Sequence, residues 1–146
     1  MADNLKSAPW RIDFPASELG EIPYHVILGG SAVLEDPEGG STRKLIACDF
    51  LLFPHGSAHA LHDGSDATPA PARQRSTLTT VFRENNGTGD RLDMMCGRFI
   101  LSAAHEHLIR QQMPPIRRVS FVPKERYYEW QIISKICPIV SRMRSR

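Results

Sequence analysis

Hydrophobic residues in this chain come in short runs, and proline or glycine separates the runs about every eight to twelve positions over the first hundred residues. The runs are rich in residues that favour strands. They read YHVILGG, SAVLE, KLIACDFLLF, STLTTVF and LDMMCGRFIL, at residues 24–30, 31–35, 44–53, 76–82 and 92–101. Short strands at this spacing are typical of an all-β sandwich or barrel.

The polar segments between the runs predict turns and loops. Residues 35–42, EDPEGGST, carry the acidic residues and glycines of a hairpin turn. Residues 63–76 are polar and rich in proline and alanine, which predicts an exposed connection of poor order. Residues 83–91 predict a second loop, in which Asn86-Gly87 is a good turn former.

The pattern changes after Leu101, where helix-tolerant residues replace the punctuated runs. Residues 102–113 begin with a serine suited to an N-cap, and two prolines follow them, which predicts a helix that ends there. The final block spaces four apolar residues roughly as one helical face, namely Tyr127, Trp130, Ile133 and Ile136. This face predicts packing on the barrel or on a second subunit, and a nucleic-acid stacking surface is the alternative.

Composition and length set the class of the chain. It has 146 residues, 41% hydrophobic and 23% charged, which is ordinary for one globular domain with a real core. No apolar run approaches the length that spans a bilayer, and the N-terminus lacks the order of a signal peptide. We therefore expect a cytoplasmic protein, with Cys48, Cys96 and Cys137 reduced.

Charge is unevenly distributed along the chain. Residues 1–109 hold nine Lys/Arg and fourteen Asp/Glu, whereas residues 110–146 hold nine Lys/Arg and two Glu, within an overall net charge of +2. A basic tail can contact nucleic acid or an acidic partner, and it can equally be a solvated tail.

One motif carries candidate chemistry. Pro54, Gly56 and His59 form the pattern P-x-G-x-x-H directly after an acidic residue, Asp49, and an apolar strand. A strand that ends at the proline and a turn that the glycine permits would aim His59 into a barrel. The pattern resembles the second conserved motif of the cupins, although Cys48 stands where that motif usually has glycine.

A narrower resemblance covers about a hundred residues. The opening Pro9-Trp10, the pair His25-Val26 ahead of Gly30, and the strand Cys96 to Phe99 occur in the order typical of the N-terminal cupin domain of AraC-type transcriptional regulators. The resemblance implies a mainly β, cupin-like double-stranded β-helix (jelly-roll) barrel, followed by one or two C-terminal α-helices. It also implies a sensor for a small-molecule effector and a helical homodimer interface.

The sequence departs from those regulators after Leu101. Two helix-turn-helix units would need roughly a hundred further residues, so we expect no sequence-specific DNA binding by this chain. We expect a sensor barrel over residues 1–112 and a truncated helical dimerisation or linker segment over residues 113–146. A stand-alone sensor is the alternative, and partners would be a second copy or a full-length regulator.

The resemblance also bears on chemistry. Cupin enzymes typically hold a divalent metal with a His-x-His pair from the first motif, but His25 is followed two places on by Ile27. The effector-binding or sensing residues would be His25, His59 and Cys96, of which the two histidines could hold a divalent metal. Zinc or copper bound by two imidazoles and a thiolate is one interpretation, and a redox sensor whose thiol pKa the histidines lower is another. The plainer interpretation is satisfied core histidines and a buried small thiol.

The sequence thus predicts an effector-sensing domain of an AraC-type regulator, with no catalytic residues and no required cofactor. A small cupin metalloenzyme, an oxygenase or isomerase, is the alternative.

Overall fold

The computed structural model describes residues 1–36 and 40–120 of the chain. In these residues the chain forms eleven strands and one helix. In chain order they are β1 Ala2–Ser7, β2 Arg11–Phe14, β3 Glu21–Gly29, β4 Ser31–Glu35, β5 Thr42–Ile46, β6 Asp49–Leu52, β7 His59–His62, β8 Ala72–Ser76, β9 Val81–Asn85, β10 Arg91–Ile100, α1 Ala103–Gln112 and β11 Arg117–Ser120.

The strands form two sheets that enclose one core. The larger sheet has the order β11-β6-β3-β10-β1-β9-β8, and the smaller has the order β2-β7-β4-β5. Buried apolar side chains from both sheets meet in one cluster, which includes Ile27, Leu51 and Met94 from the larger sheet and Leu34 and Leu61 from the smaller. The predicted mainly β, jelly-roll-like barrel is confirmed.

Several predicted elements are found where the sequence placed them. Residues 31–35 form β4, and β4 pairs antiparallel with β5, which confirms the predicted hairpin. The run at residues 92–101 lies in β10. Helix α1 begins after Ser102 and ends before Met113, as the serine and the prolines predicted.

Other predictions are wrong in detail. Residues 44–53 form two strands rather than one, because the chain turns at Cys48, whose φ of 71° lies in the left-handed region. The predicted strand at residues 76–82 is interrupted by a hairpin turn between β8 and β9, in which Thr77 N–H donates to Thr80 O over 2.8 Å. The sequence offered no hydrophobic signal for β1, whose Asp3, Asn4 and Lys6 are buried polar residues at the centre of the larger sheet.

The predicted helical segment at residues 113–146 differs from the structure where it is described. Arg117–Ser120 form β11, an edge strand that pairs antiparallel with β6. Arg118 Nη2 lies 2.6 Å from Oδ2 of the buried Asp49, so this pair ties the strand to the barrel. The barrel therefore extends past residue 112. The predicted apolar face at Tyr127 to Ile136 and Cys137 lie outside the described residues.

Cys48 and Cys96 differ in state. Cys48 is in a disulfide bond, so the expectation that it is reduced is wrong. Cys96 is a free thiol, as expected. In the described part of the chain, no helix is both long and apolar enough to cross a membrane.

Candidate functional site at the barrel mouth

The two sheets bring His25, His59 and Cys96 together at one end of the barrel. His25 on β3 and Cys96 on β10 are direct partners in the antiparallel ladder of the larger sheet. His59 begins β7 in the smaller sheet, directly after the turn that Gly56 makes with a φ of 62°. All three side chains are buried.

The three side chains form a chain of short polar contacts. His25 Nδ1 lies 2.9 Å from Cys96 Sγ, and His25 Nε2 lies 2.7 Å from His59 Nε2. His59 Nδ1 lies 2.9 Å from the carbonyl oxygen of Ser57. At the other end, Asn4 Nδ2 donates to Cys96 Sγ over 3.2 Å. We call this series, from Asn4 through Cys96, His25 and His59 to Ser57, the histidine chain.

The Ser57 carbonyl fixes the protons along the histidine chain, because a carbonyl oxygen only accepts. His59 must therefore carry its proton on Nδ1, which leaves its Nε2 as an acceptor for the N–H of His25 Nε2. His25 Nδ1 is then the acceptor for the Cys96 S–H. Each imidazole nitrogen and the thiol then has a hydrogen-bond partner with both imidazoles and the thiol uncharged.

Burial keeps these groups uncharged. It lowers the pKa of His25 to about 3, with a smaller contribution from His59, and it also lowers the pKa of His59. Two phenyl rings sandwich the His59 imidazole, with ring centroids 3.7 Å away for Phe53 and 4.9 Å away for Phe14. This apolar enclosure disfavours an imidazolium.

The thiol of Cys96 lacks the low pKa that a redox-sensing cysteine requires. Burial raises its pKa to about 12, against a smaller opposing effect of the Asn4 hydrogen bond. The expectation that a histidine lowers this pKa is therefore wrong, because the neutral His25 accepts from the thiol and offers no positive charge. Cys96 and Arg98 lie two residues apart on β10 and share a face of the strand, but their exposure differs. Cys96 is buried while Arg98 is exposed, because β10 runs on beyond the core and Arg98 pairs with Glu21 at the rim.

The geometry does not fit the three-ligand metal site that the sequence left open. Residues 1–36 and 40–120 contain no group of three or more His, Cys, Asp or Glu side chains placed to hold a metal ion. His25 presents Nδ1 to the sulfur and Nε2 to His59, so the sulfur and the two histidines do not face a common centre. Of these ligand atoms, only the Nε2 atoms of His25 and His59 face each other.

The histidine chain borders a cavity of about 730 Å³, which we call the mouth cavity. His25, His59 and Cys96 lie at its wall with apolar side chains such as Phe14 and Tyr24. Charged side chains stand around it, namely Glu18, Glu21, Arg83 and Arg98. A cavity of this size with a few converging polar groups is the usual form of a small-molecule site.

A second, open groove of about 560 Å³ lies on the other side of Phe14 and His59, which line both spaces. We call it the polar groove. Arg11 donates two hydrogen bonds of 2.9 Å to the carboxylate of Glu35 there, and it also contacts Asp13. His59 and Phe14 thus form a wall between a neutral site and a charged one.

The other histidines of the motif region have structural contacts. His55 Nε2 lies 3.0 Å from the Arg110 carbonyl and 2.9 Å from that of Met113, so it caps the end of α1. His62 Nε2 lies 3.1 Å from Glu35. Both side chains are partly buried.

Sequence reasoning missed Asn4, Phe14 and Phe53 as members of the site. Asn4 is fully buried on a strand without a hydrophobic pattern, and only its pairing with β10 places it beside Cys96. Phe53 precedes the motif proline and could have been found from the strand that ends there. Phe14 belongs to β2, whose neighbour β7 lies far away in sequence, so nothing local indicated it.

Together, the two sheets and the histidine-lined mouth define a small double-sheet β-barrel with a candidate binding cavity. The chain belongs to the cupin family, since the family model described as Cupin matches residues 5–129.

Two solved structures are similar to the chain. YhaK from Escherichia coli has 16% identity and a TM-score of 0.48, over 81% of this chain and 40% of that one. Unsaturated fatty acid bound wild-type ToxT from Vibrio cholerae strain SCE256 has 10% identity and a TM-score of 0.47, over 96% of this chain and 52% of that one. The chain thus spans about half or less of each of these proteins. No curated protein matches the sequence.

Proposed function

We propose that this cupin barrel is the effector-binding domain of an AraC-type transcriptional regulator, and that it is not an enzyme. The observation that carries the proposal is the mouth cavity of about 730 Å³ bordered by the neutral histidine chain. Uncharged, hydrogen-bonded imidazoles and an uncharged thiol beside apolar side chains are suited to binding a ligand rather than to activating a nucleophile. The order of motifs that resembles AraC-type sensor domains supports the regulatory part of the proposal.

The same geometry argues against the metalloenzyme alternative. A catalytic metal site needs about three protein ligands around one centre and an open position. His25 offers its two nitrogens to different partners, and the thiol lies on the side away from His59. Metal binding by both histidines would have to replace the hydrogen bond between their Nε2 atoms.

Ligand binding is tested by thermal unfolding of the whole chain with a panel of small amphipathic compounds of anionic, neutral and cationic classes. A compound that binds the folded protein raises its unfolding temperature. We expect one class to do so with the wild type and to lose the effect with Ala16→Trp, which fills the rim of the mouth cavity from an exposed position.

Ala67→Trp is the matched control, because Ala67 is exposed and lies away from the mouth cavity. It should keep the wild-type response. Equal responses of the two variants, or no response of the wild type to any class, would contradict binding in this cavity.

Metal analysis of the purified protein separates the two functions. Stoichiometric iron, manganese or nickel would favour the enzyme. The regulator further predicts self-association or a mixed dimer with a full-length relative, which light scattering and a pull-down would detect. A monomer that also fails to associate with the relative would count against the regulatory role.

A further inference from the structure

Two cations on the inner face of the larger sheet have no ion pair among the residues that the structure describes. Lys6 on β1 is only 6% exposed, and its ammonium group makes no hydrogen bond or salt bridge in that part of the chain. Arg83 on β9 lines the mouth cavity, and its side chain donates only a long hydrogen bond of 3.5 Å to Gln74. Both cations are therefore without a carboxylate partner.

The strand register places both cations next to the histidine chain. β1 and β9 pair in parallel, with Asn4 beside Arg83, so these two side chains share a face of the sheet. Asn4 holds Cys96 on that face, and Lys6 follows two residues along the same strand. The positive charge thus lies at the thiol end of the histidine chain.

On the outer face of the larger sheet, the arginines of the hairpin formed by β8 and β9 do have a carboxylate partner. Arg73 and Arg75 on β8 both pair with Glu84, at 3.2 Å and 3.5 Å, and Arg75 also lies over the Phe82 ring. The fold therefore supplies a carboxylate to the outer, exposed arginines and none to the inner cations. Burying a cation without a partner is costly. Burial lowers the pKa of Lys6, and the charge of Arg83 makes a smaller contribution in the same direction.

We propose that Arg83 forms an anion subsite of the mouth cavity, with the charge of Lys6 behind it outside the cavity lining, and that the ligand of this cupin is a small organic anion with an apolar body. Its charged group would lie at the Arg83 wall beside Asn4, and its apolar body would contact Phe14 and Tyr24. This inference rests on the proposed effector-binding function and names the chemical class of the effector. A carboxylate gains from a guanidinium, because charge-assisted hydrogen bonds are stronger than neutral ones.

The test compares two probes of the same shape and different charge, 2-naphthoate and 2-naphthamide, by calorimetric titration of the whole chain. We expect the wild type to bind the carboxylate about tenfold or more tightly than the amide, the preference that one charge-assisted hydrogen bond typically supplies. Arg83→Gln should abolish this preference while it keeps the affinity for the amide. Lys6→Met should reduce the preference, because it removes a nearby positive charge, and should remain folded, because methionine can occupy the buried space of the lysine stem.

Arg75→Gln is the matched control, because it removes a cation of the same hairpin from the opposite face. It should keep the wild-type preference. Inorganic phosphate is titrated as well, and saturable competition by phosphate alone would assign the subsite to inorganic anions and overturn the organic ligand.

The outcomes separate this inference from the function on which it rests. Equal affinity of the wild type for the two probes would overturn the anion subsite and leave ligand binding in place. A preference that survives in Arg83→Gln and Lys6→Met would also overturn it. Failure of both probes to bind would overturn the anion subsite, and the compound panel with Ala16→Trp would then decide whether the cavity binds any ligand.

Discussion

The mouth cavity and the polar groove share a wall, yet their polar side chains are in opposite states. In the mouth cavity, His25 and His59 are buried and neutral, and each hydrogen bond depends on the next. In the polar groove, Arg11 and Glu35 are about 40% exposed and remain charged. The burial of each side chain therefore decides whether it is neutral and part of the core or charged and in contact with water.

The largest expected effect is that of removing the central histidine. His25→Ala should lower the free energy of unfolding by about 3 kcal/mol, because it leaves a cavity and removes the partners of Cys96 and His59. Urea unfolding measures the loss. His62→Ala, on the side of the polar groove, should cost about 1 kcal/mol or less, and similar losses for the two variants would contradict the difference between the regions.

The second prediction concerns acid. The pKa of His25 falls from 6.5 to about 3 on folding, so the unfolded chain takes up a proton first as the pH decreases. Stability should therefore be complete above pH 6.5 and should decline below it, by about 1.4 kcal/mol per pH unit for each histidine that stays neutral in the folded state. His25→Leu should remove a large part of this slope between pH 6.5 and 5.

The polar groove should respond in a lower pH range. The hydrogen bond from Arg11 lowers the pKa of Glu35 below the usual 4.5. The stability that the ionised Glu35 contributes is therefore present above that pH and is lost as the pH decreases further. Urea midpoints measured from pH 7 to 3.5 would resolve the two ranges. A wild-type midpoint that is flat between pH 6.5 and 5 would contradict neutral, buried histidines.

The third prediction compares one glycine from each region. Gly56 and Gly40 have similar positive φ values of 62° and 59°, a conformation that costs a side chain about 1 kcal/mol. A Cβ at Gly56 would also lie 3.1 Å from Ser17 Cβ, whereas one at Gly40 would meet nothing within 4 Å. Gly56→Ala should therefore cost about 2 kcal/mol and Gly40→Ala about 1, measured by urea unfolding. Equal costs would show that the motif turn is not tightly held.

The turn of the motif was predictable from the sequence, and its electrostatics were not. Pro54, Gly56 and His59 are adjacent in the chain, so the pattern alone indicated a turn that aims His59 inward. The pairing of His25 with Cys96 joins strands 71 residues apart, and it follows from the register of the sheet. The uncharged state follows in turn from burial and from one carbonyl, that of Ser57, which no pattern of residue types reveals.

The central strand β1 illustrates the same limit for the fold. Hydrophobic periodicity identifies strands whose inner face is apolar, and β1 instead places Asn4 and Lys6 there. Its pairing with β9 and β10 compensates for the missing pattern. A strand that carries polar residues on its inner face is thus the kind that sequence reasoning tends to miss.

The smallest effect should come from the ion pair of the polar groove. Arg11 donates two hydrogen bonds to Glu35, but both side chains are largely exposed, so water screens the pair and ordering the side chains offsets its attraction. Arg11→Gln should leave the urea midpoint almost unchanged at high salt and should lower it only slightly at low salt. A loss as large as that of His25→Ala would mean that the polar groove is as tightly held as the mouth cavity, and the contrast between the two sides of Phe14 and His59 would then have to be abandoned.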